Sequence, residues 1–311
     1  MNQKQLKLAT IAAIIGNGVF GFSFMFSRIA LGIASPFIML MYRFIGAFLG
    51  MCVLSLVSRL AGFGKDNAGE QIHFLRFDLR GKPVAPLHFL GIVQPVLYFL
   101  CESYGISLTN ATFSGVIIAL VPIAALGMGA LFLHEMPSRA QVLFSLLSIA
   151  GVIIMTLMQS AEGEIQPLGV LLLIGAVLTG VSYNVISRKI SAQYSALERT
   201  YVMMLVAAVS FTALALFETG LDAQVLLAPL TDGRFIVSLL YLSIISSVLA
   251  FLMINYASNY LPVAKTTAFC NLTTVISLFA GVVFLGEPFG PLSLLASVMI
   301  VLGIWGVQKA G

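Results

Sequence analysis

Charge is the scarcest property of this sequence. Asp, Glu, Lys and Arg make up 9% of its 311 residues, against roughly 25% in an average soluble domain. A chain that is 59% hydrophobic cannot clothe a water-facing surface with so few charges, which counts against soluble enzymes, nucleic-acid binders and disordered chains. Cysteine is scarce too. Cys52, Cys101 and Cys270 lie in apolar runs and leave an odd count, so no disulfide framework and no metal-ligand spacing follows. The only histidines are His73, His88 and His134, scattered along the chain. With no glycine-rich phosphate loop in a strand–helix setting, the sequence offers no metal site, no nucleophile–base pair and no expected cofactor. What it has in abundance is apolar length. The mean hydropathy of +1.04 is that of an integral membrane protein, and the net charge of +4 with a pI near 9.0 reads as basic residues gathered in loops on one side.

A bilayer core of about 30 Å takes roughly 20 apolar residues per helix. Ten such runs are present: Leu8–Leu31, Pro36–Ser58, Ala85–Thr109, Ala111–Leu133, Gln141–Met158, Leu168–Ser187, Arg199–Phe217, Phe235–Ala257, Ala264–Leu285 and Pro291–Val307. Most links between them are very short, so neighbouring spans run antiparallel. The first run follows Lys4 and Lys7 like a targeting segment, but its length, Arg28 and the lack of a small-residue cleavage site predict a retained helix.

Placing the N-terminus inside puts thirteen of the sixteen Lys and Arg residues at inner ends. The outer links then carry mainly Glu162, Glu164, Glu218, Asp222, Asp232 and Glu287, with Arg234. This bias predicts a multi-pass protein, in a bacterial inner membrane, with both termini cytoplasmic. The long charged link Arg59–Val84 reads either as a segment lying on the inner membrane surface or as a solvated loop.

The chain also repeats itself. At an offset of 152, Tyr104 falls on Tyr256, Gly129 on Gly281, Glu135 on Glu287, Ser145 on Ser297 and Gly151 on Gly303. Spans 3–5 thus fall on spans 8–10. A five-span unit is odd-numbered, so its second copy enters the membrane from the opposite side. The predicted fold class is all-α: ten transmembrane helices as two inverted five-helix repeats, residues 1–160 and 161–311. Inverted repeats of this kind are typical of secondary transporters, whose halves rock about a site near the midplane.

The sequence resembles the EamA-type ten-helix transporters of the drug/metabolite transporter superfamily over nearly all its length. The resemblance rests on Tyr42-Arg43-Phe44 with Ala47, and on the two endings Phe132-Leu133-His134-Glu135 and Phe284-Leu285-Gly286-Glu287-Pro288. The small-residue last spans of each half, with Gly151 and Gly303, add to it. It implies a central cavity, spans 5 and 10 at the periphery, and export as the direction. It implies no particular substrate, since such transporters carry amino acids, sugars, nucleosides, cations and drugs.

Charges inside a membrane are costly and invite explanation. At 1.5 Å per residue, Glu102 lies roughly 25 Å from the inner face and Arg43 roughly 10 Å from the outer one. Arg28 closes the first span nearby, so the three are within reach of one another. Two readings stand. Glu102 is a proton-coupling carboxylate or an outer gate closed against Arg43, or the charges form a permanent pair that fixes spans 1–3. Its repeat partner is Ile254, so any carboxylate coupling is asymmetric, with Asn255 and Tyr256 as hydrogen-bonding stand-ins.

Gly91, Gln94, Tyr98 and Glu102 share a helical stripe on span 3. Span 8 carries a weaker one with Ser246, span 9 has Thr267, Asn271 and Thr274, and span 1 has Asn17 with Phe20 and Phe24. Polar stripes must face protein or water. The expected substrate-binding set is Asn17, Phe20, Phe24, Gln94, Tyr98, Ser246, Asn271 and Thr274, although Ser and Thr also serve as helix–helix glue. Pro95 and Pro122 predict kinks. Lys265 reads as a snorkelling residue, with an anionic substrate as the other reading.

These readings converge on a secondary transporter that moves a small polar or amphipathic metabolite, with an amino-acid-like solute favoured, by alternating access. Its partners would be that solute, the lipid bilayer and protons, and no nucleic acid; coupling to the solute gradient alone is the other possibility. The competing cargo is a drug or a lipid-like molecule. A membrane enzyme acting on lipid would need acid–base or metal groups clustered at one interface, which the scattered His and single deep Glu do not supply. A passive channel is the third class.

Overall fold

A computed structural model describes residues 3–60, 77–132, 138–161, 165–261, 269–287 and 289–310. Among them no strand occurs. The helices are α1 (Gln3–Leu31), α2 (Pro36–Leu60), α3 (Ala85–Ser107), α4 (Ala111–Ile118 continued by Val121–Phe132) and α5 (Arg139–Ala161). The second set is α6 (Pro167–Ile190), α7 (Ala196–Thr219), α8 (Gly233–Tyr260), α9 (Cys270–Leu285) and α10 (Pro291–Lys309). Seven of them are long and apolar enough to cross a membrane. The expected fifth, ninth and tenth spans appear as shorter apolar stretches, Arg139–Met155, Leu272–Leu285 and Pro291–Val307. The chain is an all-helical, multi-pass membrane protein.

The boundaries differ from the sequence reading where local chemistry overrides hydropathy. Helix α7 begins at Ala196 rather than Arg199, because Ser195 and Glu198 form a reciprocal capping box. Two orphan N–H groups of the first turn are thereby satisfied. Pro122 does not kink a continuous helix. It is the second residue of a new segment after a break at 119–120, where its missing N–H has no partner to lose. The start of the expected ninth span, with Lys265 and Thr267, lies outside the described residues, as do Glu135 and most of the Arg59–Val84 link.

Helix α3 is not a simple cylinder. Gln94 is extended (φ −148°, ψ 121°) within a π-helical stretch, Ile92–Leu97. A second π-helical stretch, Tyr241–Ala250, lies in α8 and contains the positions 152 residues further on. The wider turn sits at matching heights in both halves, and such turns concentrate at functional sites.

The helix pairings repeat as well. Helix α1 packs on α8 and α9, while α6 packs on α3 and α4; α2 and α7 pack on each other, with α2 also on α8 and α7 on α3. Helices α5 and α10 form a pair with little contact to the rest. Their backbones meet at Gly303, where a Cβ would stand 2.6 Å from the Phe144 carbonyl oxygen. Two arginines mark the same relation. Arg28, ending α1, donates to the Ile106 and Ser107 carbonyls at the end of α3 (3.0 and 3.3 Å). Arg188, ending α6, donates to the Ser258 and Asn259 carbonyls at the end of α8 (2.6 and 2.7 Å). Both neutralise helix C-terminal carbonyls. The acceptors are 152 residues apart and the donors 160, so α1–α2 match α6–α7 at the larger offset.

The two chain ends lie at one end of the bundle, here called the termini end: Ser138, before α5, donates to the Ala310 carbonyl after α10. The α1–α2 and α3–α4 turns lie at the far end.

Candidate functional site

A central cavity of about 70 Å³ lies where α1, α2, α3, α4, α6, α8 and α9 converge. Each half supplies wall residues at matching positions. Phe20, Ser23 and Phe24 of α1 line it opposite Gly180, Tyr183 and Asn184 of α6, at the 160 offset. Glu102 and Val121 line it opposite Ile254 and Thr273, at the 152 offset. Arg43, Gln94, Tyr98, Phe99, Ile118 and Asn17 complete the wall.

Seven residues singled out from the sequence therefore meet here: Asn17, Phe20, Phe24, Gln94, Tyr98, Glu102 and Arg43. Four do not. Ser246 is buried behind the wall, bonded to Ser23 at 2.8 Å and to Arg43 at 3.0 Å. Thr274 donates to the Gly115 carbonyl (3.2 Å) and binds α9 to α4. Arg28 is spent on the end of α3 and does not join Arg43 and Glu102. The Asn271 side chain lies outside the described residues. The span-3 stripe also loses a member. Gly91 faces Val206 of α7, which would sit 3.0 Å from an added Cβ, because the extended Gln94 resets the helical register.

The polar groups of the wall are unevenly satisfied. Arg43 is wholly buried. Its Nε donates to Ser247 Oγ (2.9 Å), its Nη2 to Ser246 Oγ, and its guanidinium lies 4.1 Å from the Phe99 ring centroid. Its Nη1 has no hydrogen-bond partner, and neither does Gln94 Oε1. Glu102, 6% exposed, accepts from the Tyr98 hydroxyl at 3.0 Å. No Glu102–Arg43 contact falls within 4 Å, so the expected permanent ion pair is not what fixes these helices. Among the described residues no group of three or more His, Cys, Asp or Glu could hold a metal ion.

Below the cavity, towards the termini end, the polar groups are saturated. Tyr183 and Ser187 both donate to Asn255 Oδ1 (3.0 and 2.9 Å), and Asn255 Nδ2 donates to Thr200 (3.0 Å). Asn255 is thus part of a buried network rather than of the wall. Arg199, also wholly buried, donates to Ser187, Ser258 and the Asn255 carbonyl at 2.6–2.9 Å, and to Asn259 Oδ1.

A second space of about 980 Å³, a vestibule at the far end, has a lining that includes Phe26, Arg28, Asn110, Arg234, Ser238 and Glu287 and shares no residue with the cavity wall. Glu287 follows Gly286, whose left-handed conformation (φ 66°) turns the chain at the end of α9. Its carboxylate takes the Ala111 and Thr112 N–H groups at the start of α4, both at 2.8 Å. A Cβ on Gly281 would fall 2.4 Å from Glu287 Oε2. The Gly–Glu spacing seen in the repeat is therefore a packing requirement of this clasp.

Sequence reasoning missed Ser23, Phe99, Tyr183, Asn184 and Thr273. The signal existed. Shifting α1 by 160 residues would have turned Phe24 into Asn184 and exposed Tyr183 beside it.

Known proteins match this chain along its length. The sequence profile of the EamA-like transporter family matches residues 7–157 and again 167–308. The uncharacterized transporter YcxC of Bacillus subtilis is 30% identical over 98% of this chain and 94% of its own. A probable terminal-alkyne amino-acid exporter of Streptantibioticus cattleyicolor is 24% identical over 74% of this chain and 75% of its own. A solved crystal structure shares the fold with a TM-score of 0.64 at 18% identity, covering 96% of this chain and 95% of that one.

Proposed function

Since the chain belongs to the EamA-like transporter family, we propose that it exports a small polar or amphipathic solute, an amino acid foremost, by alternating access through the central cavity. The halves that rock would be residues 1–160 and 161–311, in ten spans, with the termini end cytoplasmic in a bacterial inner membrane. One observation carries the substrate class. A buried guanidinium N–H and a buried amide oxygen stand without partners in one cavity, beside a carboxylate. Unpaired buried polar groups of this kind cost stability unless a ligand completes them. A zwitterion does so: its carboxylate accepts from Arg43 Nη1, and its ammonium donates to Gln94 Oε1 and Glu102. Phe20, Phe24 and Tyr183 offer an apolar slot for a side chain. The amino-acid exporter among the relatives supports the same class, and Glu102 is the carboxylate that would carry a proton in exchange.

Thermal unfolding of the detergent-purified protein against amino acids, nucleosides, sugars, polyamines and organic anions tests this. A ligand at a hundred times its dissociation constant adds about 2.7 kcal/mol. Amino acids with apolar side chains should raise the midpoint, and Arg43→Lys and Gln94→Ala should abolish the rise. In proteoliposomes, Glu102→Gln should keep substrate counterflow and lose its response to a proton gradient. A midpoint raised only by drugs or nucleosides, and left unmoved by every amino acid, would sink the substrate assignment.

A further inference from the structure

The far-end vestibule offers a different chemistry from the central cavity. On α1, Phe20, Phe24 and Arg28 follow at four-residue spacing and so share one stripe. Phe20 and Phe24 line the cavity, and Arg28 lines the vestibule. Its capping of α3 engages Nη1 alone, and Nε and Nη2 take no partner among the described residues. Arg234, at the start of α8, is a second cation of this lining. It gives Nε and Nη2 to Asp232 (3.3 and 2.8 Å), and its Nη1 has no partner among the described residues. Glu287, the carboxylate of the lining, does not neutralise the two arginines. Each of its oxygens already accepts a backbone N–H at the start of α4. No ion pair joins it to either arginine within 4 Å among the described residues. The Asn110 side-chain oxygen is committed as well, to the Phe113 N–H (2.8 Å). What the vestibule still offers is guanidinium N–H groups beside the apolar side chains of Phe26, Ile29, Val237 and Leu285.

We propose that the vestibule is a second binding site, separate from the central cavity, for an oxyanion that carries an apolar tail. The oxyanion takes Arg28 and Arg234, and the tail lies among the apolar side chains around them. A planar guanidinium matches carboxylate and phosphate oxygens in pairs. A space of about 980 Å³ lies in the range of small-molecule sites, about 300–1,000 Å³. A cation gains little here, because the carboxylate and amide oxygens of the lining are already engaged. The cavity, by contrast, holds an unpaired N–H, an unpaired amide oxygen and a carboxylate together. The two spaces therefore ask for different ligands, a simple anion in one and a zwitterion in the other. The vestibule site stands on its own lining, whether or not the cavity moves an amino acid.

Tritiated phenylpropionate, which is phenylalanine without its ammonium, is the probe. Equilibrium binding to the purified full chain in a neutral detergent should saturate. Arg28→Gln should weaken it by at least about tenfold, the loss of a charged hydrogen bond. Should Arg28→Gln fail to fold, Arg234→Ala carries the test: its side chain is exposed, and binding should weaken by about two- to fivefold. Arg43→Lys, which alters the cavity, should leave the affinity for this probe unchanged, and phenylpropylamine should not displace it. The oxyanion can arrive free or on a lipid headgroup, and competition tells the two apart. Displacement by short-chain phosphatidylglycerol, but not by the matching phosphatidylcholine, makes a lipid headgroup the resident; displacement by neither makes it a free carboxylate. No saturable binding overturns the site. So does binding that is lost in Arg43→Lys and kept in both Arg28→Gln and Arg234→Ala, which would put the probe in the cavity. If phenylpropionate binds as expected while no amino acid stabilises the protein, the substrate assignment fails and this site remains.

Discussion

Arg43 and Arg199 are the same residue type, both wholly buried in helices that pack on each other, yet their surroundings differ in kind. Arg199 is ringed by oxygens on α6, α7 and α8, and all three of its nitrogens donate. Arg43, in the wall of the central cavity, donates from two nitrogens and leaves the third buried without a partner. The contrast teaches that burial alone does not separate a structural charge from a functional one. Counting donors against acceptors does: a saturated guanidinium holds helices together, and under the function proposed above the unsaturated one takes the ligand.

The largest expected effect follows from the saturated member. Arg199→Ala removes several buried hydrogen bonds to a charged donor at once, among them those to the Asn255 carbonyl and Asn259 Oδ1, so denaturation in detergent should show a loss of at least about 3 kcal/mol. Arg199→Lys should recover little, since one ammonium cannot span both sides. Next comes the unsaturated member. Arg43→Met should lower substrate counterflow by at least about tenfold, the loss expected when a charged hydrogen bond to substrate disappears. Its unfolding midpoint should hold or rise, because an incompletely paired buried charge is removed. If Arg43→Met destabilises as much as Arg199→Ala, the distinction between them collapses.

A smaller effect is expected at Tyr183, which joins the cavity wall to the Arg199 network. Tyr183→Phe should cost about 0.6 kcal/mol, the usual worth of one hydrogen bond between membrane helices, with a modest change in counterflow. The smallest belongs to Arg234. It is exposed and paired with Asp232 at 2.8 Å, and its hydrogen bonds hold the Asp232 carboxyl below the usual range. Whatever stability the pair gives is present at neutral pH and fades as pH falls through that lowered value. Arg234→Ala should leave the midpoint at neutral pH unchanged within measurement error.

Much of this was legible in the residues. Long apolar runs mark membrane helices because lipid satisfies no backbone groups, and the offset of 152 exposed the repeat through Gly129/Gly281 and Glu135/Glu287. Five of the seven cavity residues were readable as polar or charged side chains in apolar spans, which must face inward, and Phe20 and Phe24 as their neighbours on α1. Three things were hidden. The extended Gln94 breaks the periodicity on which the Gly91 stripe depended, and an apolar sequence carries no cue for it. Arg199 looked like a helix boundary because a charge usually sits at an interface, whereas here carbonyls and hydroxyls surround it. Of the two readings of Arg43 and Glu102, the direct pair does not form, because depth along an axis fixes height and not azimuth, and serine hydroxyls on α8 take the guanidinium.

Glu102 and Ile254 line the cavity at matching positions of the two halves, so the charge there belongs to one half alone. Two identical first halves, assembled as a homodimer, would place two carboxylates and two guanidinium groups around one small space. Two identical second halves would place none. Within one chain neither half has to serve its own mirror image, so the first half holds the charged groups of the wall and the second half only neutral ones, Gly180, Tyr183, Asn184, Ile254 and Thr273.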